Sequence, residues 1–119
     1  LVKTLAIIIT KPPFGAIHAA EAIRLANGAV SYGHEVKIIL LGDGVYVARK
    51  GQRAEEAGWT SLSPLLEKLA SSGRAKVLVD NASADERGIA LKDLAAGVEL
   101  SDGSSISSAI ANADRSTVF

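Results

Sequence analysis

The sequence predicts one α/β domain over residues 1–119, a three-layer α/β/α sandwich on a parallel sheet. Three observations carry that expectation. Leu5–Ile9 is apolar at every position, and Val36–Leu41 and Ala75–Val79 are apolar apart from Lys37 and Lys76 near their starts, the pattern of strands covered on both faces. The stretches between them carry helical periodicity, and strands alternating with helices make layered α/β domains. Finally, 119 residues suit one domain and bury about two-thirds of the surface that the unfolded chain exposes. No internal repeat, low-complexity tract or linker interrupts the pattern.

The first strand, LAIII, is closed by Lys11-Pro12-Pro13-Phe14-Gly15, because proline cannot continue a ladder and restricts the residue before it. From Ala16 to about Tyr32 a helix is expected, with Ala19, Ile23, Ala26 and Val30 on one face. Its small residues let it sit close to a sheet, and Gly33 suits a left-handed stop. Gly28 inside it costs about 1 kcal/mol relative to alanine. The second strand ends at Gly42-Asp43-Gly44, with a short helix expected over Val45–Lys50 and Asp43 as its N-cap. Gly51–Thr60 reads as a polar connection holding the only tryptophan, Trp59.

Ser63-Pro64 reads as N-cap and first residue of a helix burying Leu65, Leu66 and Leu69, with Gly73 as its C-cap. Lys68 and Arg74 suit the negative end of that helix. After the third strand, Asp80–Gly88 reads as a polar loop and Arg87–Ala96 as helical. A short strand over Gly97–Leu100, a turn at Ser101-Asp102-Gly103, a weaker helix over Ser104–Ala113 and a terminal strand over Thr117–Phe119 complete the chain. Right-handed crossovers place the loops 10–15, 42–45 and 80–88 along one rim of the sheet.

Composition narrows the chemistry. Aromatics make up only 4% against 48% apolar residues, so the core is built from aliphatic side chains. Thirteen basic and thirteen acidic residues cancel, giving no electrostatic footprint for nucleic acid or an anionic membrane. Cysteine is absent, which excludes disulfides, thiolate metal sites and cysteine nucleophiles together. No apolar run reaches the length of a membrane span, and residues 1–9 are too short for a signal peptide, so a cytoplasmic protein is expected. No dinucleotide fingerprint, phosphate-binding glycine loop, nucleophile elbow or paired-histidine zinc motif occurs. His18 reads as a surface residue of the first helix, and His34 has no expected role. No metal or cofactor is expected.

Ligands of open α/β sheets bind at the carboxyl ends of strands, which directs attention to VLVDNASADERGI, residues 77–89. The candidate ligand-binding positions along this rim are Phe14, Gly15, Asp43, Gly44, Asp80, Asn81, Ser83, Arg87 and Gly88. Arg87 has two readings. It binds an anion with help from free helix N–H groups, or it pairs with Asp80, Asp85 or a neighbouring subunit and fixes the loop. A general-base role for Asp80 has no orienting partner visible in the sequence.

Several segments, taken in order, carry a family resemblance: the first strand with PPFG, AAEAIRLANGAVSYGHEVKIILLGDGV with VARKGQ, KVLVD leading into SADERGI, then GVEL and NADRSTVF. The chain resembles the DsrE/DsrF-like family of small α/β proteins, which includes the YchN-like and Tus-type sulfur-relay subunits. The resemblance implies a five-stranded, mostly parallel sheet between helix layers and assembly into trimers or hexamers. It also implies a persulfide-carrying cysteine seven residues before the arginine of the R-G pair, which here is Asp80. A carboxylate cannot hold sulfane sulfur as a thiolate does. The resemblance therefore implies a non-catalytic structural or regulatory subunit, a homo-oligomer or the partner of a cysteine-bearing paralogue. The alternative is a small-molecule, anion or nucleotide-binding module on the same rim. An apolar surplus around Val45, Tyr46 and Val47 points the same way, toward subunit contact.

Overall fold

The computed structural model describes residues 1–119. Five strands, β1 (Thr4–Ile9), β2 (Glu35–Leu40), β3 (Ala75–Asp80), β4 (Val98–Ser101) and β5 (Arg115–Val118), form one sheet in the order β4-β3-β2-β1-β5. Every neighbouring pair is parallel. The helices are α1 (His18–Ser31), α2 (Ser63–Ala70), α3 (Asn81–Glu86) and α4 (Gly103–Ala111). The steps from β1 through β4 all move in one direction across the sheet, so right-handed crossovers put α1, α2 and α3 on one face. The step from β4 to β5 runs back past three strands, which sends α4 to the other face.

The core is correspondingly lopsided. Ile7, Ile9, Ile38, Leu40, Val77 and Val79 point toward α1–α3 and join a cluster of 23 buried residues. Ala6, Ile8, Ile39 and Leu78 point the other way and are covered by Ile106 of α4 in a cluster of five. Adjacent residues of one strand thus enter different clusters, as the alternation of side chains in a pleated strand requires.

Several boundaries differ from the sequence expectation for identifiable reasons. The stretch Arg87–Ala96 is not a helix. α3 instead occupies the polar residues Asn81–Glu86, and Gly88, at φ +66°, ends it. The N–H of Gly88 donates to the Asp85 carbonyl and that of Ile89 to Ala84, with Ile89 and Ala84 both buried, a Schellman closure. Only a single 3₁₀ turn, Leu91–Asp93, follows before β4. The short helix after β2 is a 3₁₀ segment starting earlier, at Gly42–Ala48, and Asp43 does not cap it. Ser63 likewise lies inside the first turn of α2 without a capping bond, and Leu62 precedes it. Val45 and Val47 are fully buried and Tyr46 packs against the same core, so this stretch fills the protomer rather than offering a subunit contact. His34 has a structural role after all, its Nδ1 accepting the Lys3 N–H at 3.1 Å. α1 is shorter than expected, and β5 starts two residues earlier.

Candidate functional site

The all-parallel sheet gathers the segments that follow β1, β2, β3 and β4 on one rim. Asp80 is the last residue of β3, in register with Ser101 of β4. Its extended backbone makes it the N-cap of α3. Its Oδ2 accepts the Ser83 backbone N–H at 3.2 Å and the Ser83 hydroxyl at 2.5 Å. Ser83 Oγ, itself buried, accepts the Gly42 N–H at 3.0 Å. A hydroxyl that donates once and accepts once thereby ties the β2 loop to the end of β3.

Arg87, at the far end of α3, makes the second tie. Its Nη1 donates to the Ser83 carbonyl at 3.0 Å, and its Nε donates to Asp43 Oδ1 at 3.1 Å. Nη2 lies 3.1 Å from the same carboxylate oxygen, and Glu86 is 3.6 Å from Nη1. The arginine side chain is 21% exposed and its aspartate partner 56%. The loop-fixing reading of Arg87 is the arrangement observed, with Asp43 in place of the nearer acids Asp80 and Asp85.

Gly44 supports this geometry by its lack of a side chain. A Cβ there would fall 1.9 Å from the Ile9 carbonyl oxygen, so only glycine lets the 3₁₀ segment cross the end of β1. Asp43, Gly44, Asp80, Ser83, Arg87 and Gly88 are thus drawn into one frame. Phe14, Gly15 and Asn81 are not bonded to it. Phe14 instead faces Trp59, with ring centroids 6.2 Å apart and planes tilted by 55°, joining the β1–α1 loop to the 51–60 connection. His18 is the exposed first residue of α1.

Chemically the frame is closed. No histidine, lysine or tyrosine bonds to Asp80, and no buried side-chain nitrogen or oxygen lacks a partner. No group of three histidine, aspartate or glutamate side chains could hold a metal ion. The four concavities of the surface lie elsewhere, none lined by Asp80, Ser83 or Arg87. Asp102 at the adjoining strand end caps α4. The Ser105 backbone N–H, at 2.7 Å, and then the Ser105 side chain hold its carboxyl below the ordinary aspartate range. No helix is long and apolar enough to cross a membrane. The sequence reading missed Gly42 and Trp59, and it missed the capping signal itself, an acid at Asp80 with Ser83 three residues on.

A model of the DsrE/DsrF-like family matches residues 3–119. The chain belongs to the DsrE/DsrF-like family. Among relatives, the intracellular sulfur oxidation protein DsrF of Allochromatium vinosum is 30% identical over 94 residues, covering 79% of this chain and 69% of that one. An uncharacterized protein of Methanopyrus kandleri is 34% identical over 99 residues, covering 83% and 79%. Among solved structures, YchN of E. coli superposes with a TM-score of 0.84 over the whole of both chains at 20% identity. A second, MTH1491 of Methanobacterium thermoautotrophicum, gives 0.76 at 12% identity over 98% and 99%. These two likenesses establish a shared DsrE/DsrF-like fold, five parallel strands with helices on both faces.

Proposed function

We propose that this chain is a non-catalytic, cytoplasmic subunit of a sulfur-relay-type assembly. It forms a trimer or hexamer with copies of itself or with a cysteine-bearing DsrE/DsrF-like paralogue. One observation carries the reading. The strand end where the family resemblance puts a persulfide-carrying thiol holds Asp80, tied up as a helix cap, and the chain has no cysteine at all. Sulfur relay needs a thiolate that attacks a sulfane sulfur and later releases it, and a carboxylate does neither. Family membership and the relationship to an intracellular sulfur oxidation protein support the sulfur context. A rim locked by internal bonds, away from every concavity, favours docking over binding of a small molecule. The anion-binding alternative has weaker support, because Arg87 already serves Asp43 and the Ser83 carbonyl.

The test is native mass spectrometry of the chain co-expressed with a cysteine-bearing family member from the same genome, before and after exposure to a sulfane donor. The reading predicts a mixed particle that takes up sulfur only on the cysteine-bearing chain. Two chains that never associate, with this one monomeric by itself, would contradict it.

A further inference from the structure

We infer that the amino end of the sheet, opposite the Asp80 rim, binds a small dianionic oxyanion, a phosphate group above all. The site follows from strand register. Ile38 and Val77 point toward α1–α3, so Lys37 and Lys76, one residue earlier in each strand, point toward the α4 face. They are paired directly across β2 and β3, whose backbones run about 4.8 Å apart. Arg74, two residues before Lys76, continues the same face, since Ala75 between them enters the α1–α3 core. α4 reaches only the next row, where Ile106 covers Ile39 and Leu78. Arg74 and Lys76 stay exposed and Lys37 partly so. All three line one concavity of about 300 Å³.

Like charges set directly opposite on neighbouring strands destabilise a sheet, and nothing inside the chain relieves these. The ion pairs of the protein are made by Arg24, Arg53 and Arg87, none of them in this cluster. The row neighbours carry no charge. Lys37 has Ala6 on its other side, and Lys76 lies beside Gly97, just before β4 begins. Arg74 Nη1 donates to the Gly33 carbonyl at 2.9 Å, which fixes the guanidinium at the cavity wall. Glu35 and Glu99 line the same cavity without pairing with any of the three. Three cations against two carboxylates leave one positive charge in a recess. A compact anion seated between the lysines and the arginine fork removes their mutual repulsion. The two carboxylates flanking it repel an extended polyanion such as nucleic acid or an acidic peptide.

The site is independent of the sulfur-relay reading, because Asp80, Ser83 and Arg87 take no part in the cavity. Isothermal titration calorimetry with inorganic phosphate and with glycerol phosphate, against sodium chloride at matched ionic strength, tests it. The chains compared are the wild type and the double variant Lys37→Gln, Lys76→Gln. The expected result is one phosphate group per wild-type chain, with an affinity lower by about tenfold or more in the variant. Tighter binding of glycerol phosphate identifies the occupant as a phosphate monoester, and tighter binding of inorganic phosphate as the free ion. Without anion the variant should keep or raise its Tm, since a like-charge pair is gone. No heat beyond the chloride control, or equal affinity in both chains, would overturn the site. So would a clear fall in the variant's Tm, which would mark the lysines as structural partners of Glu35 and Glu99.

Discussion

Arg87 closes the rim across 44 residues of sequence, its Nε and Nη2 each 3.1 Å from the same Oδ1 of Asp43. The contact joins the end of α3 to the segment after β2, while Ser83 joins the start of α3 to Gly42 of that segment. Arg87→Ala removes the ion pair and the bond to the Ser83 carbonyl, and should lower stability by about 1–2 kcal/mol. Asp43→Asn should cost less, about 0.5–1 kcal/mol, because its carboxylate is more than half exposed. Urea denaturation of the two variants and their combination should give a coupling that shrinks at high salt.

Gly44→Ala drives a methyl into the Ile9 carbonyl, which is backbone and cannot swing aside. A destabilisation of about 3 kcal/mol or more is expected, at the upper end of overpacking effects. Gly28→Ala, where a methyl meets nothing, is the matched control and should leave the urea midpoint of the protomer unchanged or raised. Equal midpoints for the two variants would refute the close crossing at Gly44.

The cap of α4 sets an acid limb. Asp102 titrates lower in the folded chain than in the unfolded one, so at any pH below the unfolded value the unfolded state binds more protons. Its contribution to stability is complete above the ordinary aspartate value and fades as pH falls through the folded value, below about pH 4. Asp102→Asn keeps a capping oxygen without titrating. The Tm gap between wild type and Asp102→Asn should therefore narrow between pH 6 and pH 3, and a constant gap would contradict the assignment.

Much of the sheet was readable in the sequence because strands covered on both faces leave apolar runs at Leu5–Ile9, Ile38–Leu41 and Val77–Val79. α3 was not, since only Ser83 and Ala84 of its six residues are buried and no apolar periodicity marks it. Its two ends carry the signal instead, the Asp80 cap and the Arg87-Gly88-Ile89 closure. The partner of Arg87 was illegible for a different reason. Asp80, Asp85 and Glu86 all lie much nearer in sequence, and only the fold of β2 against β3 brings Asp43 within reach. The cap roles expected of Asp43 and Ser63 failed because each helical segment begins one or more residues before its supposed first turn.

The central claim is that Asp80 occupies a sulfur-relay frame without the atom that carries sulfur. Asp80→Asn, which retains a capping oxygen, should fold with a loss under about 1 kcal/mol. Asp80→Cys supplies the thiol in the same frame. Intact mass after treatment with a sulfane donor, wild type and Asp80→Cys side by side, decides the matter. The account predicts a gain of about 32 Da, one sulfur per chain, on Asp80→Cys and no gain on the wild type. Sulfur taken up by the wild type, or a folded Asp80→Cys chain that takes up none, would contradict it.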